Sequence, residues 1–295
     1  MQTCRYVFEH GIELRAGVGA WLISNASPDQ QVSFDSPSHA IEHLHPMRPL
    51  LLTERRSYGG DVTWLLRCDG RQLFAEGIST LMQRQLDGST LYPVHHLAYL
   101  LGAFGYHCQK LAELYVQLAA RYCQITQIPG HPNDGDVAYF SHEAEPYFEF
   151  DALLGVARRA YDSTRYLLWP RFGSGKGSVP RSLEALLKSS SHVPSALHSR
   201  LLASWTRFGV LLTDYRDCIN HYVPVDFGLA SVFMRRHSSG AWTTMVRIPD
   251  NPRVRSKNQF TFTLNRDALT YAWELDDEVL ALAIDVADAT VPRMG

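Results

Sequence analysis

From Pro93 the chain settles into a helical rhythm: Leu97, Leu100/Leu101, Phe104, Cys108, Leu111, Leu114/Tyr115, Leu118 and Tyr122 recur every third or fourth position. Pro129-Gly130-His131-Pro132-Asn133-Asp134-Gly135-Asp136 ends that run as a linker. A second stripe predicts a helix over Phe150–Trp169: Phe150, Leu153/Leu154, Ala157, Ala160/Tyr161, Thr164 and Leu167/Leu168 face inward, with Arg158, Asp162 and Arg165 outward. Pro170 and the glycines of 173–177 stop it. A short helix follows around Ser182–Lys188. Pro194 then suits a first helical residue, and helix continues to Tyr222, loosened at Gly209 and closed off by Pro224.

The flanks follow a different period. Asp61–Cys68 and Arg71–Phe74 around Asp69-Gly70 read as a hairpin with a type I′ turn, followed by a helix over Ala75–Leu86. Near the other end, Ser231–His237 and Ala241–Ile248 flank Ser238-Ser239-Gly240 as a second hairpin. Trp242, Thr244, Val246 and Ile248 alternate onto one of its faces, Trp242 as core rather than as a base-stacking ring. Asn265 is the candidate cap of a final helix from Arg266 to Ala287. The fold class is therefore mainly α, with a mixed α/β region over 1–92, a helical bundle over 93–229, and a β-hairpin plus helix over 230–295 packing on the bundle.

At 45% hydrophobic and 20% charged, the 295 residues have the composition of a globular chain with length enough for a core. A net charge of −2 argues against a protein that coats nucleic acid without selectivity, but leaves room for a local basic patch. Such a patch exists in sequence. Residues 230–258 carry Arg235, Arg236, Arg247, Arg253, Arg255 and Lys257 against Asp250, while 265–295 is acidic. A solvated face balancing the acidic helix is the plainer account, and a track for an RNA backbone the functional one. The five cysteines (Cys4, Cys68, Cys108, Cys123, Cys218) form no Cys-x-x-Cys pair and read as free thiols of a reducing, cytoplasmic compartment. Glu9, Glu13 and Arg15 interrupt any signal-peptide core, and no membrane-spanning stretch appears.

Candidate chemistry concentrates in Leu212-Thr213-Asp214-Tyr215-Arg216-Asp217-Cys218-Ile219-Asn220-His221-Tyr222. Arg216 is a permanent cation with a planar donor fork suited to phosphate, and His221 is of the residue type that titrates near neutrality. Asp217 lies four residues before His221, placed to fix its tautomer, and Asn220 is a further phosphate donor. Cys218 reads as a small core residue. An Arg-x4-His spacing is weak alone, since Arg5–His10 shares it, and a helix C-terminus favours cations in any case.

The context adds a resemblance. Tyr215-Arg216-Asp217-x-Ile219-x-His221, after Ser204-Trp205-x-x-Phe208-Gly209 and the 150–169 helix, is similar to the HEPN superfamily of helical domains. The similarity spans 93–229 and is specific around 204–222. It implies a homodimer in which two such motifs face each other, forming a metal-independent ribonuclease site with no cofactor. It further implies an RNA substrate, a toxin or defence role, and an inhibitor protein as a candidate partner. Some members are not nucleases, so a non-catalytic RNA- or protein-binding module is the alternative.

Two rival motifs are weaker. His39-Ala40-Ile41-Glu42-His43 matches the His-x-x-Glu-His order of a zinc-dependent hydrolase, with Glu113 formally open as a third ligand and His45, His95, His96 and His107 adding no recognised pattern. Gly173–Ser178 fails the phosphate-loop spacing, because Pro170 takes the first glycine position and Gly177 the place of Ser or Thr.

Overall fold

The computed structural model describes residues 4–8, 13–17, 20–24, 31–34, 51–55, 63–67, 91–125, 139–173, 178–189, 193–236 and 242–291. That part is mostly helical, as the apolar spacing predicts. Helix α1 (Leu91–Ile125) buries Val94, Leu97, Leu101, Phe104, Cys108, Leu111, Tyr115 and Leu118, and leaves Tyr92, Tyr99 and Tyr106 exposed along its outer side. After strand β7 (Tyr139–His142), helix α2 (Glu145–Ser163) packs along α1. It begins five residues before the predicted start, with Pro146 in its first turn.

The predicted 150–169 helix is broken at Thr164. The Ser163 hydroxyl donates to the Ala160 carbonyl (2.8 Å) and the Thr164 hydroxyl to that of Tyr161 (2.7 Å). Such side-chain bonds compete with the helical ladder. Helix α3 (Arg165–Phe172) then carries on through Pro170, so the proline does not stop it. Closure comes three residues later, where Gly173 N–H donates to the Trp169 carbonyl at 2.8 Å. A Cβ on Gly173 would sit 2.5 Å from that same oxygen, so glycine is required there.

Arg158, Asp162 and Arg165 are not turned outward as predicted. Arg158 lies 4.6 Å above the Trp205 ring, donates to Thr213 (2.7 Å) and pairs with Asp162 (3.1 Å). Asp162 also accepts from Leu183 N–H at 2.9 Å, and Arg165 donates back to the Asp162 carbonyl. Stripe counting assigns charges to the solvent side, but here other helices supply partners to Arg158 and Asp162, while Arg165 folds back on its own turn.

Helix α4 (Leu183–Ser189) matches the prediction, with the Ser182 hydroxyl accepting from Ala185 N–H at 3.1 Å. Pro194 is the cap rather than the first helical residue of α5 (Ser195–Ser204). A π turn, Trp205–Gly209, joins α5 to α6 (Val210–His221), so the rod is continuous and loosened where glycine was expected to loosen it. Rings of Phe150, Tyr215 and Tyr271 meet edge-to-face at 5.4–6.2 Å and tie α2 and α6 to the last helix.

Strands β8 (Ser231–Arg236) and β9 (Trp242–Met245) form the predicted hairpin, and β7 adds an antiparallel third strand on β8. Thr244, Val246 and Ile248 are buried as their alternation requires, while the side chain of Trp242 lies outside the described residues. Helix α7 (Ala268–Thr290) packs on α1 and α2. Its cap is Asp267, not Asn265, which instead takes a left-handed φ of 47° two residues earlier. The Asp267 carboxylate accepts from Tyr115 hydroxyl (2.7 Å), Val246 N–H (3.0 Å) and Thr270 N–H (2.9 Å), binding α1, the β9 exit and α7 at one buried point.

Among the described residues of the first ninety, six strands form one sheet in the order β4-β3-β2-β1-β6-β5: β1 (Cys4–Phe8), β2 (Glu13–Gly17), β3 (Ala20–Ser24), β4 (Gln31–Phe34), β5 (Leu51–Arg55) and β6 (Thr63–Arg67). Strand β6 is the first arm of the predicted hairpin, yet its antiparallel partner is β5, with β1 parallel on its other flank. Both flanks are thus occupied without 71–74. Those residues, the 75–86 helix and the 129–136 linker lie outside the described residues.

Candidate functional site

Helix α6 owes its orientation to Leu212, Tyr215 and Cys218, which are buried at three-residue intervals. Asp217, Asn220 and His221 therefore point away from the core, with Arg216 between the two sides. The last turn closes firmly: Tyr222 N–H and Val223 N–H both donate to the Cys218 carbonyl, at 2.9 and 3.0 Å. Cys218 is a core residue as expected, its thiol pushed up by burial and bonded to the Val223 carbonyl at 3.5 Å.

Arg216 Nη1 lies 3.4 Å from Asp217 Oδ1, in a pair 39% and 46% exposed. An exposed contact of that length contributes at most about 1 kcal/mol, so the guanidinium stays free to exchange this partner for another anion. The carboxylate of Asp217 thus faces Arg216 rather than His221. Neither Asn220 nor His221 makes a side-chain hydrogen bond among the described residues, and the imidazole meets only the Tyr222 ring, edge-on at 6.3 Å. Arg216 and His221, five positions apart, diverge by ~140° around the helix. One chain presents the two groups side by side without converging them.

Chain order hides what lies beside them. Residues 249–256 run along α6 as a strap: Tyr215 hydroxyl donates to the Pro249 carbonyl (2.5 Å) and Cys218 thiol to that of Val254 (3.8 Å). Arg253 Nε donates to Asp214 (2.7 Å), and the Arg255 guanidinium sits 5.2 Å from the centre of the Tyr222 ring. Two of the five arginines of the basic tract thereby reach the motif. Arg247 is engaged otherwise, stacked 4.2 Å over Phe233 and 5.5 Å from Phe227. Arg235 and Arg236 end strand β8, and their side chains lie outside the described residues.

Among the described residues, Glu278 and Asp285 of the acidic last helix hold Arg200 of α5, while Asp214 holds Arg253 of the strap and Asp226 holds Lys257 just beyond it. Tyr222 and the strap were beyond sequence reasoning as site components. The only signal was the adjacency of Tyr222 to His221.

His39, Glu42, His43, His45 and residues 174–177 lie outside the described residues. Glu113 accepts from Gln109 (2.8 Å) and Lys110 (2.6 Å), His107 pairs with Glu149, and His96 stacks on Tyr92. Among the described residues no group of three or more His, Cys, Asp or Glu side chains is placed to hold a metal ion, and no helix is long and apolar enough to cross a membrane. Comparison with family models, with curated proteins and with solved structures finds no match to this chain.

Proposed function

We propose that the chain is an RNA endonuclease of HEPN-like type, its site completed by a second copy of itself. One observation carries the reading: His221 and Asn220 stand exposed, without side-chain hydrogen bonds among the described residues, beside a weakly held Arg216, on a helix end whose opposite face is locked into the core. The divergence of Arg216 and His221 supports pairing across a two-fold axis, where each motif supplies what the other lacks. In the reaction one His221 takes the proton of a ribose 2′-hydroxyl and that oxygen attacks the adjacent phosphorus. The partner's His221 gives its proton to the departing 5′-oxygen, leaving a 2′,3′-cyclic phosphate. Arg216 holds the non-bridging oxygens, with Asn220 as an additional donor, as charge builds on them in the transition state.

The test is cleavage of RNA by purified protein in EDTA. Arg216→Ala and His221→Ala should each lower the rate by about a hundredfold or more. Undiminished cleavage in the double variant, or full activity from a species that sediments as a monomer, overturns the reading. Binding without turnover points to a non-catalytic module, and growth arrest on expression that is lost in the double variant speaks for a toxin role.

A further inference from the structure

The strap and the helix end make a second feature beside the proposed cleavage site. Tyr222 is 45% exposed although it is a large aromatic residue, and its backbone is fixed by the bond to the Cys218 carbonyl. Its ring stands beside that of His221, edge-on at 6.3 Å. Above it lies Arg255, on a strap that Tyr215, Cys218 and Asp214 hold to the same helix. The neighbouring cations on either side are each matched to a carboxylate, Arg253 to Asp214 and Lys257 to Asp226. Arg255 is not: among the described residues its guanidinium meets the Tyr222 ring and donates to no acceptor.

We propose that Tyr222 and Arg255 form a nucleobase subsite beside His221, in which an unstacked base lies on the tyrosine ring and the arginine donates to the phosphate of that nucleotide. This rests on the nuclease reading and deepens it, because it assigns the nucleotide beside the scissile phosphate to two residues of this chain. A phenol face accepts any base by stacking, which gives affinity with little sequence preference. A base inside an A-form duplex has both faces covered and offers nothing to such a plate. The cation has a second task. The carbonyls at the end of α6 carry partial negative charge, which repels phosphate, and a guanidinium held over Tyr222 offsets that repulsion.

The experiment measures binding of a fully 2′-O-methylated RNA 12-mer, single-stranded or as a blunt duplex, by fluorescence anisotropy. Cleavage of the unmodified strand is followed in parallel, and thermal melting checks that each variant is folded. Tyr222→Ala should weaken single-strand binding by about tenfold to a hundredfold and raise KM more than it lowers kcat. Tyr222→Phe should restore most of the affinity, because the ring and not the hydroxyl does the stacking. Arg255→Ala should reduce the slope of log Kd against log salt by about one.

Unchanged binding in Tyr222→Ala, a Tyr222→Phe variant as weak as the alanine, or preference for the duplex overturns the subsite. Failure of the nuclease reading looks different. If Arg216→Ala, His221→Ala still cleaves while Tyr222→Ala loses affinity, the subsite stands and the catalytic assignment falls.

Discussion

Asp276 is buried on α7 with Oδ1 accepting no hydrogen bond among the described residues, and burial, helped by the neighbouring Asp277, pushes its carboxyl up to about 7. In the unfolded chain it titrates near its ordinary value of 3.8. Between those two values the unfolded chain gives up its proton and the folded one keeps it, so rising pH favours unfolding. Above about 7 the penalty is complete, on the order of a few kcal/mol. Asp276→Asn should flatten the fall in stability between pH 4 and pH 7, read by denaturant titration at several pH values. A slope equal to the wild type's would show that the carboxyl is not held neutral. At this scale the sequence revealed residue types but not company. Cys218 was legible as core because a small thiol three positions after Tyr215, on the stripe begun by Leu212, has little else to do. Arg158 was not, because its partners Thr213 and Trp205 come from another helix.

Helices were the most legible elements, since the 3.6-residue stripe survives in α1, α2, α4 and the α5–α6 rod. Their interruptions were less so. The buried stripe runs unbroken across Thr164, so only the hydroxyl bonds to preceding carbonyls betray the break. The π turn was half legible, through Gly209. A Cβ there would lie 2.3 Å from Cε3 of Trp205, whose ring is itself covered by Arg158. Thr213 hydroxyl donates to the Gly209 carbonyl at 2.7 Å, bracing the turn from the far side. Helix propensity alone favours alanine over glycine by about 1 kcal/mol. Gly209→Ala should nonetheless destabilise by about 1–3 kcal/mol, because a buried indole must shift. Thermal melting decides the sign, and a higher melting temperature would mean the ring yields without strain.

For the molecule as a whole, the candidate site was readable only in its contiguous half. Arg216, Asn220 and His221 share one helix end, so spacing could nominate them. Tyr222 gains its meaning from Arg255, which the fold returns to it through a hairpin and a loop. Asp267 shows the same limit in stability. Sequence favoured Asn265 as the cap, but Asp267 also receives Tyr115 and Val246, and no local pattern reports those. Asp267→Ala should lower stability by about 3 kcal/mol, through the lost cap and two stranded donors, with α1, β9 and α7 all loosened in hydrogen exchange. A loss confined to the first turn of α7 would assign it an ordinary capping role.

The strap over α6 sets a condition on how this end of the protein breathes. Its anchors are Tyr215 and Cys218, inward-facing residues of the helix it covers, so the helix tip cannot fray without casting off the backbone laid along it. Two stretches far apart in the chain therefore share one hinge and open in concert.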